Sequence, residues 1–86
     1  MRVLVPGPLR SYTDGARVVA AYGERLADVV ADLDRRFPGL RFRIIDEQGN
    51  VRRHIRFYVN AGAVADLTSR LCDRDEVMIV CALSGG

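Results

Sequence analysis

In the stretch GERLADVVADLDRRFPG, residues 23–39, the apolar side chains Leu26, Val29, Val30, Leu33 and Phe37 recur at i, i+3, i+4, i+7 and i+11. At 3.6 residues per turn these positions form one stripe of an amphipathic helix, with Asp28, Asp32, Arg35 and Arg36 on the polar face. Pro38-Gly39 supplies the stop, and Gly23 is the one residue placed to cap the start. The rest of the 86-residue chain reads as short extended runs and turns. One amphipathic helix cannot bury its stripe alone, so those extended runs must supply the surface that covers it.

RVLV at the start reads as a strand, with Val3 and Val5 on one face and Leu4 on the other. PGPLRSYTDGA is rich in turn formers, with Asp14-Gly15 as a hairpin signal, and RVVAAY resumes the strand pattern. The two predict an antiparallel N-terminal hairpin. After the helix, EQGN reads as a turn between two extended segments, FRII before it and IRFYV after it. In the second, Ile55, Phe57 and Val59 alternate with Arg56, Tyr58 and Asn60, the pattern of a half-buried strand. AGAVADLTSRLCDRD reads as a loop with room for one helical turn. EVMIVCAL is the last strand, with Val77 and Ile79 on one face and Met78 and Val80 on the other. The expected architecture is α+β: a mixed sheet of four to five strands with one main helix packed on one face. The opposite face then stays open. Arg56, Tyr58, Met78 and Val80 are its candidate residues, either as a docking patch for a partner or as ordinary scattered surface apolars.

Charge and composition narrow the function classes. A chain this short has a small core and little room for an internal active-site cavity. The net charge of +2 is too low to indicate nucleic acid. The pairs Arg35-Arg36 and Arg52-Arg53 are isolated, and aromatic residues are not interleaved with basic ones in a stacking pattern. His54 is the only histidine, and no nucleophile and base stand in a motif around it. Asp28 and Asp32 share helical spacing on an open face, where solubility explains them better than a metal. Cys72 and Cys81 have no metal-ligand spacing. No phosphate loop, membrane-length segment or signal peptide is visible, so a cytoplasmic protein with reduced thiols is expected. All thirteen basic residues are Arg. Coding bias accounts for this. It also leaves no Lys amine to attack an activated acyl group, because Arg stays protonated.

The chain closes on CALSGG. Two glycines give a slim segment with wide backbone freedom, and residues 83–86 extended reach about 13 Å. Such a tail can thread a narrow site in another protein and present a terminal carboxylate there. The division expected is a folded domain over 1–82 and a flexible tail over 83–86.

Tail, length and element order together resemble the ubiquitin-like sulfur carrier family, relatives of the molybdopterin synthase small subunit and the thiamine-pathway sulfur carrier. RFYVN, DRDEVMIV and the terminal SGG carry most of the likeness. PGPLRSYTDG is similar to the first loop of actinobacterial-type carriers that supply sulfur for cysteine synthesis. The resemblance implies a β-grasp fold and a carrier that acts as a co-substrate and not as an enzyme. It implies that an ATP-dependent activating enzyme adenylates the carboxylate of Gly86, and that a sulfur donor then leaves a thiocarboxylate there. Gly85 would supply backbone slimness, with Leu83 and Ser84 as tail contacts. No stably bound cofactor or metal is implied, ATP being used by the partner. A sulfur-accepting biosynthetic enzyme is the second partner, and the free carrier is expected to be a monomer. The molybdopterin synthase small subunit and a lysine-conjugated protein modifier stay open beside this reading. Two positions depart from the family pattern: Cys81 stands near a usual Pro, and Arg74 replaces the usual Gly of a DGDEV turn.

Overall fold

Helix α1 spans Leu26–Arg36. Its apolar stripe lies at the centre of the core: Leu26, Val29, Val30 and Leu33 are all buried. Removing each from water contributes about 1.5–3 kcal/mol. The structure, a computed structural model, describes residues 1–82. Within them the helix lies against a five-stranded sheet built from β1 (Arg2–Leu4), β2 (Val18–Ala20), β3 (Ile55–Val59), β4 (Gly62–Val64) and β5 (Glu76–Cys81).

The helix starts later than its sequence signal indicates. Arg25 occupies the N-cap position in extended backbone, and its N–H donates to Asp28 Oδ2 at 3.2 Å. Gly23 serves close packing instead of capping. A Cβ there would stand 2.6 Å from Val29 N and 2.7 Å from Asp28 Cβ. Beyond α1, the segment expected to be extended before the EQGN turn is the short helix α2, Leu40–Ile44. Gly39 turns the chain at φ +96°. Asp34 Oδ1 then accepts the N–H groups of both Gly39 and Arg41 at 3.1 Å. Leu40 and Ile44, one helical turn apart, are fully buried. Only Ile45 and Val51 pair across the turn as an isolated bridge.

The strand order is β2-β1-β5-β3-β4. The N-terminal hairpin is present, with Leu4 opposite Val18 and Arg2 opposite Ala20. Its connection is longer than a tight turn and holds a 3-10 helix, Gly7–Thr13. Asp14 and Gly15, at φ 54° and 82°, close the end of that loop, with Ala16 N–H donating to Thr13 O at 3.0 Å. β1 also runs parallel to β5, which pairs antiparallel with β3 on its other side. The stretch after β3 is not simply a loop. Asn60 and Ala61, both at positive φ, make a two-residue turn into β4. Asn60 then locks the start of β5, its Nδ2 donating to Asp75 Oδ1 at 2.8 Å and its Oδ1 accepting Glu76 N–H at 2.9 Å.

Asp32 ties the loop before α1 to the helix. Its Oδ2 accepts Tyr22 N–H at 2.9 Å and Arg36 Nε at 2.8 Å, and Arg35 completes the set. The Tyr22 N–H above all, with the two guanidinium groups, holds the carboxyl down at about 2 against an ordinary 3.8. The folded state therefore favours the charged form. Its contribution is complete above the unfolded value and fades as pH falls toward 2. We expect Asp32→Asn to lower Tm by about 4–8 °C at neutral pH. The gap between wild type and variant should close progressively below pH 4 in circular dichroism melts. A gap unchanged at pH 2 would show that the carboxylate charge is not the source.

Candidate functional site

Alternation in β5 sends Val77 and Ile79 toward α1 and Met78 and Val80 to the opposite face. Val77 and Ile79 are buried, while Met78 and Val80 are half-buried. The register aligns neighbours across that open face: Leu4 and Tyr58 flank Met78, and Val18 lies beyond Leu4. Arg56 faces Val80 in the next row. All four sequence-derived patch residues, Arg56, Tyr58, Met78 and Val80, thus share one surface. Leu4 and Val18 extend it, and Val18 is 41% exposed. The alternation in RVLV puts Leu4 opposite Val3 and Val5. It does not show that Leu4 adjoins Met78, because that contact depends on the parallel β1–β5 pairing. Where the sheet meets the 3-10 loop, Leu4, Pro6, Pro8, Val18, Met78 and Val80 line a hollow of about 590 Å³. An apolar surface of this kind can receive a complementary apolar surface. Arg10, Arg17 and Cys81 also line the hollow.

β5 ends at Cys81, and Ala82 N–H donates to His54 O at 2.7 Å. That bond holds the chain against the start of β3 where residues 83–86 begin. Leu83, Ser84, Gly85 and Gly86, the expected tail contacts and reacting residues, lie outside the described residues. Burial pushes the Cys81 thiol up, which keeps it protonated and a weak nucleophile. Cys81 and Cys72 are both free thiols. The Cys72–Asp75 turn accommodates Arg74 without strain. Asp75 N–H donates to Cys72 O at 2.9 Å, Cys72 N–H donates to Asp75 Oδ2 at 2.7 Å, and Arg74 has negative φ. The turn therefore does not need the glycine that the family pattern carries. Asp32, one of the helical carboxylate pair, is engaged by Tyr22 and two arginines. Among the described residues, no group of three or more His, Cys, Asp or Glu side chains could hold a metal ion, and no helix is long and apolar enough to cross a membrane.

Known proteins share both sequence and fold with the chain. The ThiS family profile matches residues 3–86. The sulfur carrier protein CysO of Mycobacterium tuberculosis is 34% identical over 89 residues, covering 98% of this chain and 96% of the relative. Its crystal structure superposes with a TM-score of 0.90 at 32% identity, over 95% of this chain and 98% of that one. The Amycolatopsis orientalis BexX/CysO complex contains a chain that matches with a TM-score of 0.91 at 31% identity, covering 99% and 98%. The small archaeal modifier protein 1 of Methanosarcina acetivorans matches with a TM-score of 0.81 at 26% identity, covering 99% and 94%.

Proposed function

Because this chain belongs to the ThiS family of ubiquitin-like, β-grasp sulfur carriers, close to actinobacterial CysO, we propose that it carries sulfur as a thiocarboxylate on Gly86. The observation that supports this most is the extent of the family match, which runs over residues 3–86 and so includes Gly85 and Gly86. In this reading an ATP-dependent partner joins the Gly86 carboxylate to AMP and releases pyrophosphate. A sulfur donor attacks the acyl carbon, AMP leaves, and a C–S bond replaces the broken C–O bond. The thiocarboxylate is a better nucleophile than the carboxylate, and it delivers sulfur to a small-molecule acceptor in a second enzyme. The chain is then a co-substrate, and adenylation belongs to its partner. Intact mass after incubation with ATP, a sulfide source and a family activating enzyme tests this. One terminal oxygen exchanged for sulfur at Gly86 is expected. No exchange with several active cognate enzymes would overturn the reading.

The open sheet face is the proposed docking surface, with Arg56, Tyr58, Met78 and Val80 as contacts and Leu83 and Ser84 continuing them along the tail. The CysO relative that forms a complex with BexX supports docking of such a carrier to a partner protein. Met78 stands in mid-row, flanked by Leu4 and Tyr58. A charge there would be desolvated in any apolar interface. Met78→Arg should raise the KM for the carrier in the loading reaction by about tenfold or more, a loss of roughly 1.4 kcal/mol in binding. Tm should change little, because the side chain is not in the core. An unchanged KM would remove the face from the interface. The likeness to a small archaeal modifier protein favours a second reading, conjugation of the same tail to target lysines. Isopeptide-linked conjugates in cell extracts would distinguish it.

A further inference from the structure

Three hollows meet where β5 gives way to the tail. Arg10 and Arg17 line one with Cys81, Arg43 and Arg52 line a second with Cys81, and Arg53 and Arg56 line a third with Ala82. Glu47, in the second, is the one carboxylate among the three linings. These six arginines come from four separate parts of the chain, and the fold gathers them around the root of the tail.

Three of the other seven arginines are neutralised by carboxylates. Arg2 pairs with Glu76 at 3.2 Å, and Arg35 and Arg36 both pair with Asp32. Among the described residues none of the six has such a carboxylate partner. Neutral oxygens fix four of them instead. Arg10 Nε donates to Val5 O at 3.0 Å, Arg52 Nε to Phe42 O at 2.6 Å, and Arg43 Nε to Tyr12 Oη at 2.6 Å. Arg56 Nη1 donates to Arg53 O at 2.6 Å and to Ile55 O at 2.9 Å. Arg52 also stacks over Phe42, 4.6 Å from the ring centroid. A carbonyl or hydroxyl orients a guanidinium without cancelling its charge. Arg10, Arg43 and Arg52 are held through Nε, so their terminal Nη groups keep the geometry that grips a carboxylate. The side-chain entropy usually lost when a surface arginine binds is here partly lost in advance.

We infer that this collar is a docking surface for a carboxylate-rich protein surface: an acidic rim around the site into which a partner draws the tail. The inference rests on the carrier reading, because it takes the tail to be inserted into a partner. A protein rim fits better than a nucleic acid. The cations lie in three pairs beside Cys81 and Ala82 and do not follow one strand-like track. The Phe42 and Tyr12 rings that could stack on bases are already faced by Arg52 and Arg43. Rim charges of this kind act on association rate and salt dependence more than on dissociation.

The test uses the full chain and an octaglutamate peptide as probe, followed by amide chemical shifts. Shifts should concentrate on residues 10–17 and 43–56 and weaken as salt rises past the concentration where the Debye length is about 10 Å. Reversing both charges of one pair, Arg53→Glu with Arg56→Glu, should weaken binding by about tenfold or more. The control reverses two exposed arginines at the other end of β5, Arg70→Glu with Arg74→Glu, and should leave binding near wild type. Both variants carry the same net charge, so equal weakening would overturn the inference in favour of net charge alone. Shifts spread over the whole surface would overturn it, as would a twelve-residue oligothymidine that binds as tightly. If the reversed pair fails to fold, Arg53→Gln with Arg56→Gln removes the charge with less strain and takes its place. Sulfur loading of Gly86, read by mass on the wild-type chain, separates the two readings. Loading without octaglutamate binding refutes the collar alone, and octaglutamate binding without loading refutes the carrier reading.

Discussion

Removing Gly86, or adding residues after it, should abolish sulfur loading while the melting curve stays that of the wild type. The chemistry requires a free carboxylate at one atom position. An extension converts that carboxylate to an amide, which cannot attack ATP as a carboxylate oxygen does. Deletion leaves a carboxylate on Gly85, short of the partner's reacting centre by one residue, about 3.3–3.6 Å of extended chain. A displacement of only 1 Å in a reacting group can cost about a hundredfold in rate, so the loss should exceed that. The buried core is drawn from positions between Met1 and Ile79, with Cys81 packed at its edge, so the fold does not depend on residue 86. Intact mass reads the loading, and circular dichroism reads the fold. An extended variant that loads as well as the wild type, with no trimming, would end the thiocarboxylate reading.

Ile79→Ala should destabilise the domain by about 2–5 kcal/mol. Ile79 is 2% exposed, lies on the central strand β5 and pairs with Phe57 on β3. Its side chain is on the face that α1 covers, so truncation leaves a cavity between helix and sheet. A small domain holds only about 5–15 kcal/mol in total, so the change removes a large share. Tm should fall by about 10 °C or more. The adjacent Val80→Ala, on the open face, should cost less than about 1 kcal/mol, since Val80 has no helix packed over it. Denaturant titration of both variants gives the comparison. Equal losses would mean that both faces of β5 are packed, and the open docking face would have to be abandoned.

Legibility in the sequence followed the range of the interaction. The i, i+3, i+4, i+7 stripe of α1 is local, and the structure buries Leu26, Val29, Val30 and Leu33 as that stripe requires. The alternation in β3 and β5 is local too, and it assigns Met78 and Tyr58 to the face away from the helix. β4 was hidden because three residues carry too little periodicity, and because its turn is Asn60-Ala61 and not the usual Asn-Gly. α2 was hidden because FRII in isolation fits a strand. Asp34, accepting two backbone N–H groups from across the Gly39 turn, favours the helix there.

By itself the sequence determined the one amphipathic helix, which faces of β3 and β5 are apolar, and the Gly85-Gly86 ending that carries the family likeness. Each is written in neighbouring residues, where side-chain period and backbone freedom decide the outcome. The tertiary structure alone decided the strand order, the meeting of Leu4 with Met78, and the gathering of Arg10, Arg17, Arg43, Arg52, Arg53 and Arg56 around Cys81 and Ala82. Strand partners are chosen by how completely the whole sheet buries its inner face against α1, and no short window contains that balance. A cluster of like charges drawn from distant segments becomes visible only once that burial has fixed where each segment ends.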